Sequence, residues 1–138
     1  MLLERVVAHD DEATVCTVDP RASTLYRGDD GAVPTWVGLE YMAQAVAAHG
    51  GLLDRRAGRP PRPGFFLGSR RLAFAADRFD PDLRLEVTAK PVRASRRMMA
   101  FDCAVRREGE AEPVVSGVLT VYLLDSFEAL VEDFSASG

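Results

Sequence analysis

Residues 35 to about 56 make one long helical segment, and the rest of this chain has to be arranged around it. Thr35 follows Pro34 in the position of an N-cap, β-branched residues are few, and the run from Met42 to Ala48 has high helix propensity. From Trp36 to Ala48 the only strongly polar side chains are Glu40 and Gln44. They are four residues apart and therefore share a face, while the other faces are apolar. Such a helix is expected to be wrapped by other structure. It is not expected to cross a membrane, because Glu40, Gln44, His49 and Gly50-Gly51 interrupt the stretch from Trp36 to Leu53.

What wraps the helix is legible from periodicity. Asp19-Pro20 and Arg27-Gly28-Asp29-Asp30-Gly31, closed by Pro34, form one turn-rich loop, and Gly58 to Gly64 with three prolines forms another. After the second loop the pattern turns to period two. Phe65 to Ala76, Leu83 to Val92, Met98 to Arg107 and Val114 to Leu124 read as four strands, expected as an antiparallel meander. Leu2 to Ala8 and Ala13 to Val18, joined by Asp10-Asp11-Glu12, add one or two more ahead of the helix. One helix with a sheet of five to six antiparallel strands is an α+β architecture with one layer of each. The sheet leaves edges that a second subunit would cover. The tail from Phe127 to Phe134 reads as a short amphipathic helix, which sets residues 1–125 apart as the single domain.

At 138 residues, 47% hydrophobic and 28% charged, the chain has the size and composition of one globular domain. The start Met-Leu-Leu-Glu-Arg has no basic leader ahead of an apolar run, and Cys16 and Cys103 stand far apart, so a cytoplasmic protein with free thiols is expected. The net charge of -4 hides a segregation. Residues 1–54 carry 3 Arg against 9 acids (-6), residues 55–97 carry 12 Lys or Arg against 4 acids (+8), and residues 98–138 carry 2 Arg against 8 acids (-6). A basic middle on an acidic protein suits a small acidic partner, whereas the acidic remainder repels nucleic acid.

Several chemistries are absent from the residues. The sequence has no glycine-rich phosphate loop, no G-x-S-x-G elbow, no His or Cys pairs at metal-ligand spacing, and only two histidines. No metal or cofactor is expected. What remains is Pro34-Thr35-Trp36-Val37-Gly38-Leu39-Glu40-Tyr41-Met42-Ala43-Gln44, which sets a carboxyl group at the start of an apolar helix.

Pro34, Glu40 six residues later, and Ala43-Gln44 resemble the central helix of the hot-dog-fold 3-hydroxyacyl-acyl carrier protein dehydratases, whose loop and helix read roughly H-F-x-G-x-x-x-x-P-G-x-x-x-x-E-A-x-A-Q. Together with Trp36 and Gly64-Phe65-Phe66-Leu67-Gly68-Ser69-Arg70-Arg71, the chain is most similar to the shorter dehydratase-like members of aryl polyene and related polyketide pathways. The resemblance runs from Leu2 to about Leu124. It implies a hot-dog fold, dimeric assembly, and elimination of water from a 3-hydroxyacyl thioester held by the phosphopantetheine arm of an acyl carrier protein. It further implies that Glu40 protonates the leaving hydroxyl and that the amide of Thr35, with Pro34 and Trp36 beside it, polarises the thioester carbonyl. Gln44, one turn on, either holds Glu40 by a hydrogen bond or is a polar residue satisfied at a subunit interface.

The family's base is missing. Its histidine stands fourteen residues before the carboxylate, and here that position is Tyr26, whose phenol is ordinarily a weak base with a pKa near 10. His49 lies nine residues beyond Glu40, about 13.5 Å along an ideal helix and roughly 180° around it. It is expected at the helix end, facing the C-terminal carbonyls. His9 is expected as a solvated residue of an acidic turn. Four readings follow: a dehydratase with an unconventional or partner-supplied base, an incomplete subunit of a heterodimeric dehydratase, a hot-dog thioesterase, or a non-enzymatic holder of the carrier arm. Arg70, Arg71, Arg93, Arg96 and Arg97 are the candidates for docking the acidic carrier.

Overall fold

The structure is a computed structural model that describes residues 2–22, 32–60, 62, 64–95 and 97–123. Its strands are β1 (Arg5–His9), β2 (Thr14–Val18), β3 (Val33–Pro34), β4 (Gly64–Phe74), β5 (Arg78–Phe79), β6 (Leu85–Ser95), β7 (Met98–Arg107) and β8 (Pro113–Leu123). One long helix, α1, spans Gly38–Arg56 and follows a 3-10 turn over Thr35–Val37. The expected tail helix, Phe127 to Phe134, lies outside the described residues.

Six strands form an antiparallel sheet in the order β1-β2-β6-β7-β8-β4, and β3 pairs with β5 in a short ladder. The architecture is α+β, one helix packed on one sheet, as the periodicity implies. The expected four-strand meander is not formed: only β6, β7 and β8 are consecutive neighbours, and β4 pairs with β8 at the far edge. Alternation tells which side chains face inward and is silent about which strand lies alongside which. Here the β3–β5 ladder carries the chain across the helix start between β4 and β6.

Inward residues of the sheet are those the period of two picks out: Cys16 and Val18 on β2, Leu85, Val87 and Ala89 on β6, Phe101, Cys103 and Val105 on β7, Val115 and Leu119 on β8. They pack on Val37, Tyr41, Met42, Ala45, Val46 and His49, which recur at helical spacing on one side of α1. Gly38 marks the closest approach of helix to sheet. A Cβ there would sit 3.0 Å from Val115 and 3.1 Å from Phe79. The opposite side of the helix is open, with Trp36, Glu40, Ala47 and Gly51 exposed. Among the described residues, the wrapping expected from an apolar helix is therefore only half supplied.

Two ends of α1 are tied by side chains. Thr35 does not cap the helix, because the N-cap position is Val37 and carries no side-chain bond. Its hydroxyl donates instead to the carbonyl of Ala76 at 2.7 Å. At the other end Asp54, buried, accepts from Arg59 Nε at 2.7 Å, Arg62 Nε at 2.8 Å and the Arg62 amide at 3.1 Å. Burial alone would push this carboxyl up, but the hydrogen bonds and charges of the two arginines outweigh it and hold Asp54 below the ordinary value.

Candidate active site

Glu40 lies in the first turn of α1 on the open side of the helix. Its Oε1 accepts a hydrogen bond from Gln44 Nε2 at 3.2 Å, the i to i+4 contact that the spacing predicts. The orientation of the Gln44 amide is fixed from the other side. Its Oε1 accepts from the backbone amides of Leu2 at 2.9 Å and Leu3 at 3.4 Å, so its NH2 group must face the carboxyl. The N-terminal segment thus reaches Glu40 through one side chain, a connection 41 to 42 residues long that helical spacing cannot reveal.

The helix entry differs from expectation. Pro34 lies in β3 opposite Arg78, and the amide of Thr35 donates to the carbonyl of Asp77 at 2.9 Å. The amide that the resemblance implies as the carbonyl donor thus makes a bond within the fold. Trp36 is 58% exposed, beside the open face that carries Glu40.

Neither histidine is where the sequence places it. His9, half-buried at the end of β1, and His49, fully buried on α1, both direct Nδ1 at the hydroxyl of Thr14, at 2.7 and 2.8 Å. Their rings meet edge to face with centroids 5.2 Å apart, and His49 packs edge-on against Phe101 at 5.7 Å. His9 is therefore not a solvated turn residue, and His49 is not a helix-end residue turned to the terminal carbonyls. The signal for this cluster is Thr14: period two along Thr14, Cys16 and Val18 puts a hydroxyl on the inward face of β2. Tyr26 lies outside the described residues. Tyr41 is fully buried against Phe79, and burial pushes its phenol up to about 12, so it stays neutral. Burial likewise pushes the thiol of Cys103 up to about 12 and raises that of Cys16.

One mostly apolar cavity of about 310 Å³ adjoins the helix. It begins at Ala43, three residues past Glu40, and follows the second half of α1 past Gly50 and Gly51, with Phe66, Met99 and Val121 on its sheet side. The two glycines have nothing within 4 Å of the place a Cβ would occupy.

The candidate docking arginines do not form one patch. Arg70 and Arg71 project from β4, while Arg93 and Arg97 belong to the β6–β7 hairpin; Arg96 lies outside the described residues. Arg71 sits at a bulge in β4 with φ 56° and lines a second, shallower cavity of about 390 Å³ with Lys90, Asp102 and Arg106. Sequence reading missed Lys90 and Arg106, which reach the same groove from β6 and β7. Among the described residues no group of three His, Cys, Asp or Glu could hold a metal ion, and no helix is long and apolar enough to cross a membrane.

With this geometry in hand, the pattern of the chain matches the family model of the ApeP-like proteins, described as ApeP dehydratase, over residues 1–132. The chain belongs to the ApeP dehydratase family. The resemblance carried by residues 34–44, to a hot-dog dehydratase of the aryl polyene type, stands. Among solved structures, the fold is similar to the dehydratase heterocomplex ApeI:P from Xenorhabdus doucetiae, with a TM-score of 0.84 at 23% identity over 97% of this chain and 89% of that one. It is also similar to AziG from S. sahachiroi (TM-score 0.67, 18% identity, 88% and 90% covered). A mutant thioesterase from Pseudomonas aeruginosa shares the fold as well (TM-score 0.66, 12% identity, 87% and 80% covered). No curated protein sequence matches the chain. The family's activity is dehydration; the shared fold alone also serves thioesterases.

Proposed function

We propose that this chain is the acid-bearing subunit of a two-subunit 3-hydroxyacyl dehydratase. Glu40 protonates the leaving hydroxyl, and a histidine of a second hot-dog subunit removes the α-proton. The observation that carries this reading is the fate of the two histidines. The sequence contains only two, and both are committed to the buried Thr14 cluster, so the chain has no histidine to offer as base. The elimination balances between the subunits: the base takes the proton from Cα, those electrons form the Cα–Cβ double bond, and the Cβ–O bond breaks as Glu40 delivers its proton to give water. Gln44, held by the Leu2 and Leu3 amides, keeps the carboxyl in place.

The acyl chain is read into the cavity that starts at Ala43, with the glycine pair leaving room along the helix. The second subunit is read onto the open side of α1 and the β4 edge, where Trp36, Phe66 and Leu67 lie exposed. The heterocomplex known for the Xenorhabdus relative supports that partnership. Carrier docking is assigned to the arginines of the basic middle, Arg70 and Arg71 on β4 and Arg93 and Arg97 of the β6–β7 hairpin, together with Arg96, through attraction to an acidic carrier.

Mass analysis of a 3-hydroxyacyl-loaded carrier protein tests the reading. Incubation with this chain alone should leave the acyl group intact. Adding a hot-dog subunit that carries the H-F-x-G histidine should remove one water. Loss of water with the chain alone would replace the reading by a self-sufficient enzyme and direct attention to Tyr26. Release of the acyl group would make it a thioesterase.

A further inference from the structure

The His9–Thr14–His49 cluster is a buried polar network that the proposed chemistry leaves unused. A threonine hydroxyl has one proton, yet Thr14 Oγ1 lies between two Nδ1 atoms at 2.7 and 2.8 Å. Both bonds are made only if the hydroxyl donates to one ring and accepts from the other. The neutral rings must then be opposite tautomers, one protonated at Nδ1 and the other at Nε2. A first added proton leaves both Thr14 bonds intact if it goes on the bare Nε2 of the ring that already donates through Nδ1, an atom that is buried with no hydrogen-bond partner among the described residues. A second does not. It would put Nδ1–H on both rings, leave the hydroxyl proton without its acceptor, and set two cations 5.2 Å apart, one of them fully buried.

The charged groups around the cluster offer little relief. His49 meets His9 from β1, and the carboxylates acting on it are Asp10 and Asp11 at the hairpin tip. Asp11 is paired with Arg56 at 3.1 Å, and Asp10 is engaged by the amides of Glu12 and Ala13. β7 presents the Phe101 ring, and the next acid on α1, Asp54, is held by Arg59 and Arg62.

The cluster also joins two elements. His9 ends β1 and Thr14 begins β2, paired with each other beside the hairpin turn, while His49 is on α1; the segment leading into the other end of β1 is the one whose amides hold Gln44. We infer that His9, Thr14 and His49 form an acid-sensitive latch that fastens the N-terminal hairpin to the helix, and that taking up a second proton opens it. Opening frees the Leu2 and Leu3 amides from Gln44 and so loosens Glu40. That last consequence rests on the reading of Glu40 as the acid, whereas the latch itself does not.

Hydrogen exchange followed by mass spectrometry, corrected for the intrinsic pH dependence of exchange, tests the latch on the full chain. Below about pH 6.5, where free histidines take up protons, peptides covering residues 2–9 should lose protection with a slope that approaches about tenfold per pH unit, the limit for one extra proton bound on opening. Peptides from the middle of α1 should keep theirs. His9→Gln, on the half-buried partner, should flatten the dependence, and Thr14→Val should expose the hairpin at every pH while Thr14→Ser restores the wild-type profile. Protection of residues 2–9 that does not change with pH, or a slope that survives in His9→Gln, would overturn the latch. Either result leaves the assignment of Glu40 untouched.

Discussion

Gly38 and Asp54 show how single residues set this helix. At Gly38 any side chain must displace Val115 and the ring of Phe79, neither of which is the loose end of a flexible chain. Gly38→Ala should therefore cost about 1–3 kcal/mol, read from the denaturant midpoint at unchanged slope. Asp54 answers three donors in a buried site, and its carboxyl is held below its ordinary value. A lowered carboxylate stabilises the fold above its unfolded-state value and loses that contribution as the pH falls through the folded-state one. Asp54→Asn should accordingly destabilise by about 3 kcal/mol at neutral pH, and the loss should shrink in acid, below about pH 4. At this scale the sequence was informative where partners are close along the chain. Glu40 and Gln44 are one turn apart, and their bond was expected. Thr35 looked like a cap because its carbonyl partners, Ala76 and Asp77, come from β4 and the segment after it, and no local pattern points to them.

Strand periods and the helix were legible as elements, with β7 spanning the residues expected of it and the others differing by a few residues at their ends. The order of strands was not, because β4 crosses to the far edge through the β3–β5 ladder, a pairing of two residues on each side. The histidine cluster is also an element-scale feature, since it joins the hairpin to α1. Burial, with His9 alongside, pushes His49 below the ordinary histidine value despite Asp10 and Asp11. For a histidine lowered in the folded state, the unfolded chain binds protons more readily. Stability is then fully present above an unfolded value near 6.5 and falls as the pH drops from there toward the folded one. The melting temperature should decline over that window, and His49→Gln should lose most of the decline.

For the whole molecule, what this chain leaves uncovered matters most. The open face of α1 continues into the β4 edge, whose exposed Phe66 and Leu67 belong at a subunit contact rather than in water. Lysine at both positions should abolish association with a second hot-dog subunit in size-exclusion chromatography and leave the thermal transition of the lone chain within about 1 kcal/mol. The basic middle third was plain in the sequence, but its division between β4 and the β6–β7 hairpin was not, because charge counts carry no information about strand order. If those arginines dock the carrier, Arg93→Ala with Arg97→Ala should weaken carrier binding and reduce its dependence on salt. The family pattern around Glu40 named the reaction, and the missing histidine named the gap in it. The most direct measurement is the rate of water loss from a 3-hydroxyacyl carrier protein in the mixture of this chain with a histidine-bearing hot-dog subunit, comparing wild type with Glu40→Gln. Glu40→Gln should abolish dehydration while assembly persists, and Tyr26→Phe should change nothing; a Glu40→Gln mixture that dehydrates at the wild-type rate would overturn the assignment of Glu40 as the acid.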